Sequence, residues 1–240
     1  MGNEWKLNLK DKSVAVVGLG SGGSAVVDML WRMGADQMQG LRMTLIDPDT
    51  FYASNVTRHI LRGDSVGFSK AKEMAKRYPG TTGIPGKFST LPGKPDVIAS
   101  CVDSLACESQ INAYSLENKV PVVYGGVHGD AHTAEIITVV PGETPCYECY
   151  ERTGELPPPS QEHYTDPNYD KTKMPSQAGL WVDVLMAASL QVQGILGVLG
   201  VRERLSPLVL MSLRPPFKYE AFNQKERCAV CSEDFSRLTV

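Results

Sequence analysis

Hydrophobic residues in the first half of this chain fall in short unbroken runs rather than in alternation. Residues 13–18 (SVAVVG) form a β-branched stretch that ends in glycine, the pattern of a strand buried on both faces of a parallel sheet. The same pattern returns at 42–47 (RMTLID), at 95–100 (PDVIAS) and at 120–125 (VPVVYG). Between these runs, 21–33, 70–77 and 105–118 carry helical periodicity, the second of them with charges along one side. Strands that alternate with helices predict an α/β fold with a doubly wound, mostly parallel sheet.

After Gly126 the rhythm changes. Residues 133–140 alternate as an antiparallel strand does, a long apolar helix is predicted at 180–199, and 208–213 and 218–223 read as two further strands. The sheet is therefore expected to be extended by antiparallel C-terminal strands. The stretch 153–177 is rich in proline, glycine and polar residues and has no periodicity. A connection of that length inside a compact unit is either disordered or a functional crossing segment. No internal repeat is present, and the whole of 1–240 reads as a single domain.

Composition narrows the function classes. At 240 residues and 42% hydrophobic, the chain can bury a sizeable core. A formal charge of -3 from nearly balanced acids and bases gives no broad basic field, so neither nucleic acid nor a membrane surface is an expected partner. The N-terminal MGNEWKLNLKDK lacks an apolar signal core, and the expected location is cytoplasmic. The apolar window 180–201 is interrupted by Asp183, Gln191 and Gln193, which suits a buried helix better than a bilayer span.

Four of the six cysteines form two CxxC pairs, Cys146/Cys149 and Cys228/Cys231. Two such pairs can supply four thiolates tetrahedrally to a structural Zn²⁺. The rival reading, a redox dithiol, normally opens a helix of a thioredoxin-like unit and explains only one pair. Cys101 ends a buried strand and reads as a small core residue, while Cys107 on the next helix is a weak candidate for reactivity.

Gly18, Gly20 and Gly23 lie in the sequence GLGSGG between the first strand and the first helix, the context of a Rossmann-like nucleotide-binding turn. Asp47, at the end of the second strand, is placed to accept hydrogen bonds from ribose hydroxyls. These two features alone do not separate NAD, FAD, S-adenosylmethionine and ATP.

The next segment is more distinctive. Residues 47–59 (DPDTFYASNVTRH) resemble the D-x-D…S-N-x-x-R-Q signature of the ThiF/MoeB/HesA family, adenylating enzymes related to ubiquitin-activating enzymes. The resemblance continues through VGFSKA at 66–71, Cys101-Val102-Asp103 (the family's C-T-D), YGG at 124–126 and Pro145-Cys146-Tyr147-Glu148-Cys149 (P-C-Y-x-C), and resumes at the last CxxC. It implies Mg-ATP-dependent adenylation of a carboxylate. In that role Arg58 and Lys70 face the triphosphate with Asn55 beside them, Asp47 and Asp49 belong to the ATP site, and Asp103 holds Mg²⁺. The chemistry suits these residue types, because attack on the α-phosphate builds charge on phosphate oxygens that cations and oriented donors must offset. The implied substrate is the C-terminal carboxylate of a ubiquitin-like or sulfur-carrier protein, or of a shorter peptide, with a C-terminal glycine, and the implied assembly is a homodimer.

Four departures from the family pattern stand out. Residues 153–177 contain no cysteine, so the enzyme is expected to stop at the acyl-adenylate or to pass it to a nucleophile on another protein. The family's N-terminal helix with its phosphate-contacting arginine is missing, with Lys6, Lys10 or Lys12 as weak stand-ins. The short interval between Arg77 and Pro95 predicts a trimmed edge strand. Finally, His59 occupies the position of the family's glutamine. His128 and His132 fall in a glycine-flanked loop and read as bland, and His163 reads as exposed. Two other function classes remain in view: an NAD-dependent Rossmann oxidoreductase, resting on the glycine turn and Asp47 alone, and a non-catalytic adenylation-like scaffold subunit.

Overall fold

The structure, a computed structural model, describes residues 8–35, 40–127, 133–153, 180–222, 228, 230 and 231. His128, His132, His163, Lys6 and residues 154–177 lie outside the described residues.

The apolar runs become β1 (Ser13–Val17), β2 (Arg42–Ile46), β4 (Val97–Ser100) and β5 (Val122–Val127), and a further short strand, β3 (Thr81–Ile84), lies at the edge beside β2. That strand fills the interval expected to be trimmed, and it is only four residues long. β6 (Thr133–Val139), β7 (Leu208–Ser212) and β8 (Tyr219–Phe222) complete one eight-stranded sheet in the order β3-β2-β1-β4-β5-β6-β7-β8. β1 to β5 pair in parallel, and β6, β7 and β8 each pair antiparallel with the preceding strand. The doubly wound, mostly parallel sheet with antiparallel C-terminal strands is thus the observed architecture.

Period-two alternation divides each strand between two cores. Val14 and Val16 join Met43, Leu45, Val97 and Ala99 beneath α1 (Ser21–Leu30), α2 (Lys70–Arg77) and, further along, α5 (Trp181–Val198). Ala15, Val17, Ile98 and Val122 face the other way, toward α3 (Leu105–Asn118) and α4 (Tyr147–Thr153). Among the described residues α5 has the length and apolarity of a membrane span. It packs along β5 and β6, with Val184, Ala188, Val192, Ile195 and Leu196 buried, and that packing accounts for its composition.

The polar residues that interrupt α5 have structural work. Gln191 is buried, and its Nε2 donates to Ser100 O at 2.8 Å, the last residue of β4, and to Val123 O at 2.9 Å in β5. Its Oε1 accepts from Cys101 Sγ at 3.4 Å. Gly125 makes room for it, since a Cβ there would stand 2.5 Å from the Gln191 side chain. Asp183, also buried, caps the helix by accepting from Leu180 N at 3.2 Å.

A second buried polar group braces the turn after β1. His59 Nδ1 accepts from Leu61 N at 2.9 Å, which places the proton on Nε2, and Nε2 donates to Leu19 O at 2.8 Å. Phe51 packs on the ring at a centroid distance of 4.9 Å. Burial holds the imidazole neutral and lowers its pKa from 6.5 to about 4.

Two outcomes follow from these buried groups. Gln191→Leu strands two carbonyls without a donor and is expected to cost about 1–3 kcal/mol, read as a lower urea midpoint at unchanged slope. An unchanged midpoint would mean that the bridge between β4 and β5 contributes nothing net. For His59, the unfolded state takes up a proton below its ordinary pKa of 6.5 while the folded state resists down to about 4. The stability this site contributes is therefore fully present above that ordinary value and declines as pH falls through the interval. Urea titrations from pH 7 to 4 should show a steeper loss for wild type than for His59→Gln, and parallel curves would refute the buried neutral ring.

Candidate functional site

In the sheet order, β1 and β4 are neighbours whose following connections run to opposite faces. The crevice beyond their carboxyl ends is where open α/β sheets bind ligands. Here it is closed on one side by the turn 18–23. Gly18 has φ +84, and a Cβ on it would lie 2.5 Å from Cys101 O, so the strands approach closely only because that residue is glycine. Gly23 packs directly on the turn, since its Cβ would be 1.9 Å from Gly18 O. Gly20 has nothing within 4 Å of its Cβ position, so packing does not require a glycine there. It is the N-cap of α1, and no side chain caps that helix end. Oriented N–H groups at such an end favour an anion.

Asp47 is buried, and both of its oxygens are engaged: Oδ2 accepts from Leu19 N at 2.6 Å and Oδ1 from Asp49 N at 2.7 Å. Burial pushes its carboxyl up, opposed by Lys70 and by these two N–H donors. The acid expected to meet a ribose thus also ties the glycine turn to the 47–59 segment. Each carboxylate oxygen keeps acceptor capacity for a further donor.

Asp49 pairs with Lys70, Nζ to Oδ2 at 3.0 Å, and Lys70 N donates to Asp49 O at 3.0 Å. The Lys70 side chain is 9% exposed, so the ammonium lies inside the fold with a carboxylate beside it. Phe51 N to Phe68 O at 2.8 Å and Gly67 N to Phe51 O at 2.9 Å zip the two segments that carry this pair. Ser69 caps α2 by accepting from Lys72 N at 3.4 Å, which sets Lys70 on the first turn.

Asn55 and Arg58 lie on a 3₁₀ turn, Ala53–Arg58. Asn55 Oδ1 accepts from Tyr52 N at 3.0 Å, leaving its NH₂ group as the remaining donor. Among the described residues the half-buried Arg58 guanidinium has no hydrogen-bond or ion-pair partner. It precedes His59, whose ring holds the glycine turn through Leu19. Trp181, at the start of α5, faces Val56, Thr57, His59 and Arg62 across an open hollow.

Asp103 follows β4 by three positions and is exposed at the carboxyl edge of the sheet. The turn to α3 carries it from the strand whose Cys101 backbone abuts Gly18. Cys101 is half-buried against the core, where desolvation drives its thiol up to about 12, opposed by the bond to Gln191. Cys107 is half-buried, its thiol also raised, first by burial and then by Glu108 and Asp103. Neither has the lowered pKa of a reactive thiol.

On the opposite face the four predicted cysteines come together, all Sγ atoms within 4.8 Å of one another. Cys146 to Cys149 is 3.8 Å, Cys146 to Cys228 is 3.7 Å and Cys149 to Cys231 is 3.3 Å. A tetrahedron with metal–sulfur bonds of about 2.3 Å has sulfur–sulfur edges of about 3.8 Å. The donor set therefore fits a metal ion of zinc's size and softness.

Some of this arrangement escaped sequence reasoning. The short helix α4, the 3₁₀ turn and the His59 brace were not foreseen. Their signals were present, in a histidine spaced one residue from the arginine and in a CxxC that begins a helix. Neither has a periodicity long enough to register.

Comparison with known proteins agrees with this geometry. The family model described as "ThiF family" matches residues 1–80 and 85–226. Ubiquitin-like modifier-activating enzyme 5 of Drosophila mojavensis is 32% identical over 164 residues, which is 59% of this chain and 40% of that protein. The same enzyme of Oryza sativa subsp. japonica is 30% identical over 166 residues, 59% of this chain and 38% of that protein. This chain thus spans 38% to 40% of the length of these relatives. Among solved structures, E. coli MccB with ATP superposes with a TM-score of 0.70 at 20% identity, covering 95% of this chain and 68% of that one. The microcin C7 biosynthetic enzyme MccB in complex with N-formylated MccA gives 0.71 at 21%, covering 95% and 70%. The structural likenesses speak for the fold, and the family match over most of the sequence speaks for descent: the chain belongs to the ThiF family.

Proposed function

We propose that this protein is an adenylyltransferase that uses Mg-ATP to activate the C-terminal carboxylate of a ubiquitin-like or sulfur-carrier protein, or of a peptide, ending in glycine. The observation that carries the proposal is a set of groups on the segments that follow β1, β2 and β4: a glycine turn at an uncapped helix end, a Lys70–Asp49 pair with the lysine buried, an Arg58 without a partner among the described residues, and an exposed Asp103. A dinucleotide oxidoreductase needs only the first of these. The relatives by sequence activate ubiquitin-like modifiers, and MccB, of the same fold, is seen with ATP and with MccA, which favours an acyl acceptor of that kind.

In this reading a carboxylate oxygen of the substrate forms a bond to the α-phosphorus while the bond to the pyrophosphate oxygen breaks, leaving acyl-AMP and pyrophosphate. The N–H groups of the glycine turn orient the nucleotide, and Asp47 keeps that turn in place while offering a remaining lone pair to ribose. Arg58 and Lys70 offset the charge that grows on the phosphate oxygens, and the Asn55 amide donates beside them. Lys70 is held in register by Asp49 before substrate arrives, so little reorganisation is needed. Asp103 offers an exposed oxygen ligand for Mg²⁺, which supplies charge neutralisation to the departing pyrophosphate. Cys146, Cys149, Cys228 and Cys231 hold Zn²⁺, which ties the C-terminal CxxC to the domain and takes no part in the chemistry. With no cysteine in 153–177, the product is acyl-AMP or is handed to a nucleophile on another protein. The homodimer and a cytoplasmic location complete the proposal.

Acceptor-dependent exchange of labelled pyrophosphate into ATP tests the chemistry. Arg58→Ala and Asp103→Ala are each expected to lose about 10²- to 10³-fold in rate while remaining folded. Wild-type exchange in Asp103→Ala would remove adenylation at this crevice. Zinc analysis tests the cysteine site: the metal should co-purify, and Cys228→Ser should release it with a marked fall in thermal stability. Structural zinc is worth on the order of 10 kcal/mol of apparent binding free energy. A metal-free wild-type chain of equal stability would eliminate that site.

A further inference from the structure

The helix that follows Asp103 reaches the cysteine cluster through one buried side chain. Asn112, on the third turn of α3, is fully buried. Its Oδ1 accepts from Tyr147 N at 3.1 Å, at the start of α4, and this contact fixes which way the amide faces. Its Nδ2 is buried as well and has no hydrogen-bond partner among the described residues. A buried amide donor without an acceptor is rare, and such a group calls for an explanation.

The neighbouring sulfur supplies one. Cys146, next to Tyr147, is fully buried. Tyr147 is the residue whose N–H Asn112 Oδ1 holds, which sets the Nδ2 of the same amide next to this cysteine. A neutral thiol is a weak acceptor, whereas a thiolate accepts readily. A metal-bound cysteine is a thiolate, so ligation makes this sulfur the acceptor that the buried Nδ2 lacks. The neighbouring contacts hold α3 and α4 in that register: Glu108, one turn before Asn112, accepts from Tyr147 OH, and the Tyr147 ring lies 4.6 Å from that of Tyr124.

We propose that Asn112 is a positioning residue of the metal site, its Nδ2 donating to the metal-bound Cys146 sulfur while its Oδ1 caps α4. The assignment rests on the four-cysteine metal site proposed above. It gives the cluster a hydrogen-bonded outer contact on the helix that begins beside Asp103.

Zinc competition between the full chain and a chromogenic chelator, with Asn112→Asp and Asn112→Leu, separates the two functions of the amide. Asp keeps an oxygen for Tyr147 N and loses the donor, and Leu loses both. Outer contacts of this kind are typically worth about 10- to 100-fold in metal affinity. Both variants are therefore expected to release zinc about 10- to 100-fold more readily, and their cobalt-loaded forms to show shifted sulfur-to-metal charge-transfer bands. Asn112→Asp decides the matter if Asn112→Leu fails to fold. An affinity within about twofold of wild type in Asn112→Asp, with unshifted cobalt bands, would reduce Asn112 to a helix cap and overturn the inference. A wild-type chain that binds neither metal would instead bring down the four-cysteine reading itself, and the inference with it.

Discussion

The carboxylate of Asp47 is the contact on which the rest of the crevice depends. It lies at the end of β2, yet its two oxygens reach Leu19 N in the turn after β1 and Asp49 N in its own loop. From Asp49 the connection runs on to Lys70 at the head of α2. A charge buried this deeply is expensive unless it is hydrogen-bonded. Here the requirement is met by the backbone of the segments on which the proposed nucleotide site is built. The glycine turn, the acidic loop and the buried lysine are thereby fixed relative to one another before any ligand arrives.

The two faces of the sheet divide the labour. One face, beneath α1, α2 and α5, is apolar packing that fixes the strand ends from which the site projects. The other carries α3 and α4 and the four cysteines. Gln191 from α5 ties the neighbouring strands β4 and β5 together by reaching Ser100 O and Val123 O. An apolar helix with one buried glutamine thus bridges β4 and β5.

Much of this could be read in the sequence, for reasons that differ by element. The parallel strands were legible because burial on both faces forces unbroken apolar runs, and the helix expected at 105–118 is observed as α3 over those residues. The cysteine cluster was legible because two CxxC pairs can supply four thiolates to one metal ion. The candidate site residues were legible as an ordered series, while their mutual geometry was not. That Asp47 would brace the glycine turn, or that Lys70 would be buried against Asp49, depends on how separate segments fold together, which no local pattern records. α4 was missed because seven residues are two turns, too short for a hydrophobic stripe to declare itself.

The histidine that replaces the family's glutamine shows how such a departure can be tolerated. A glutamine amide offers one acceptor and one donor group on a planar end. His59 in its Nε2-protonated form offers the same pair, Nδ1 accepting from Leu61 N and Nε2 donating to Leu19 O. The equivalence holds only for the neutral ring, because protonation would turn the acceptor into a second donor aimed at an N–H. Burial against Phe51 and the nearby Lys70 charge keep the ring in that neutral form. The substitution therefore preserves the brace on the glycine turn at neutral pH, and it makes that brace sensitive to acid where an amide would not be.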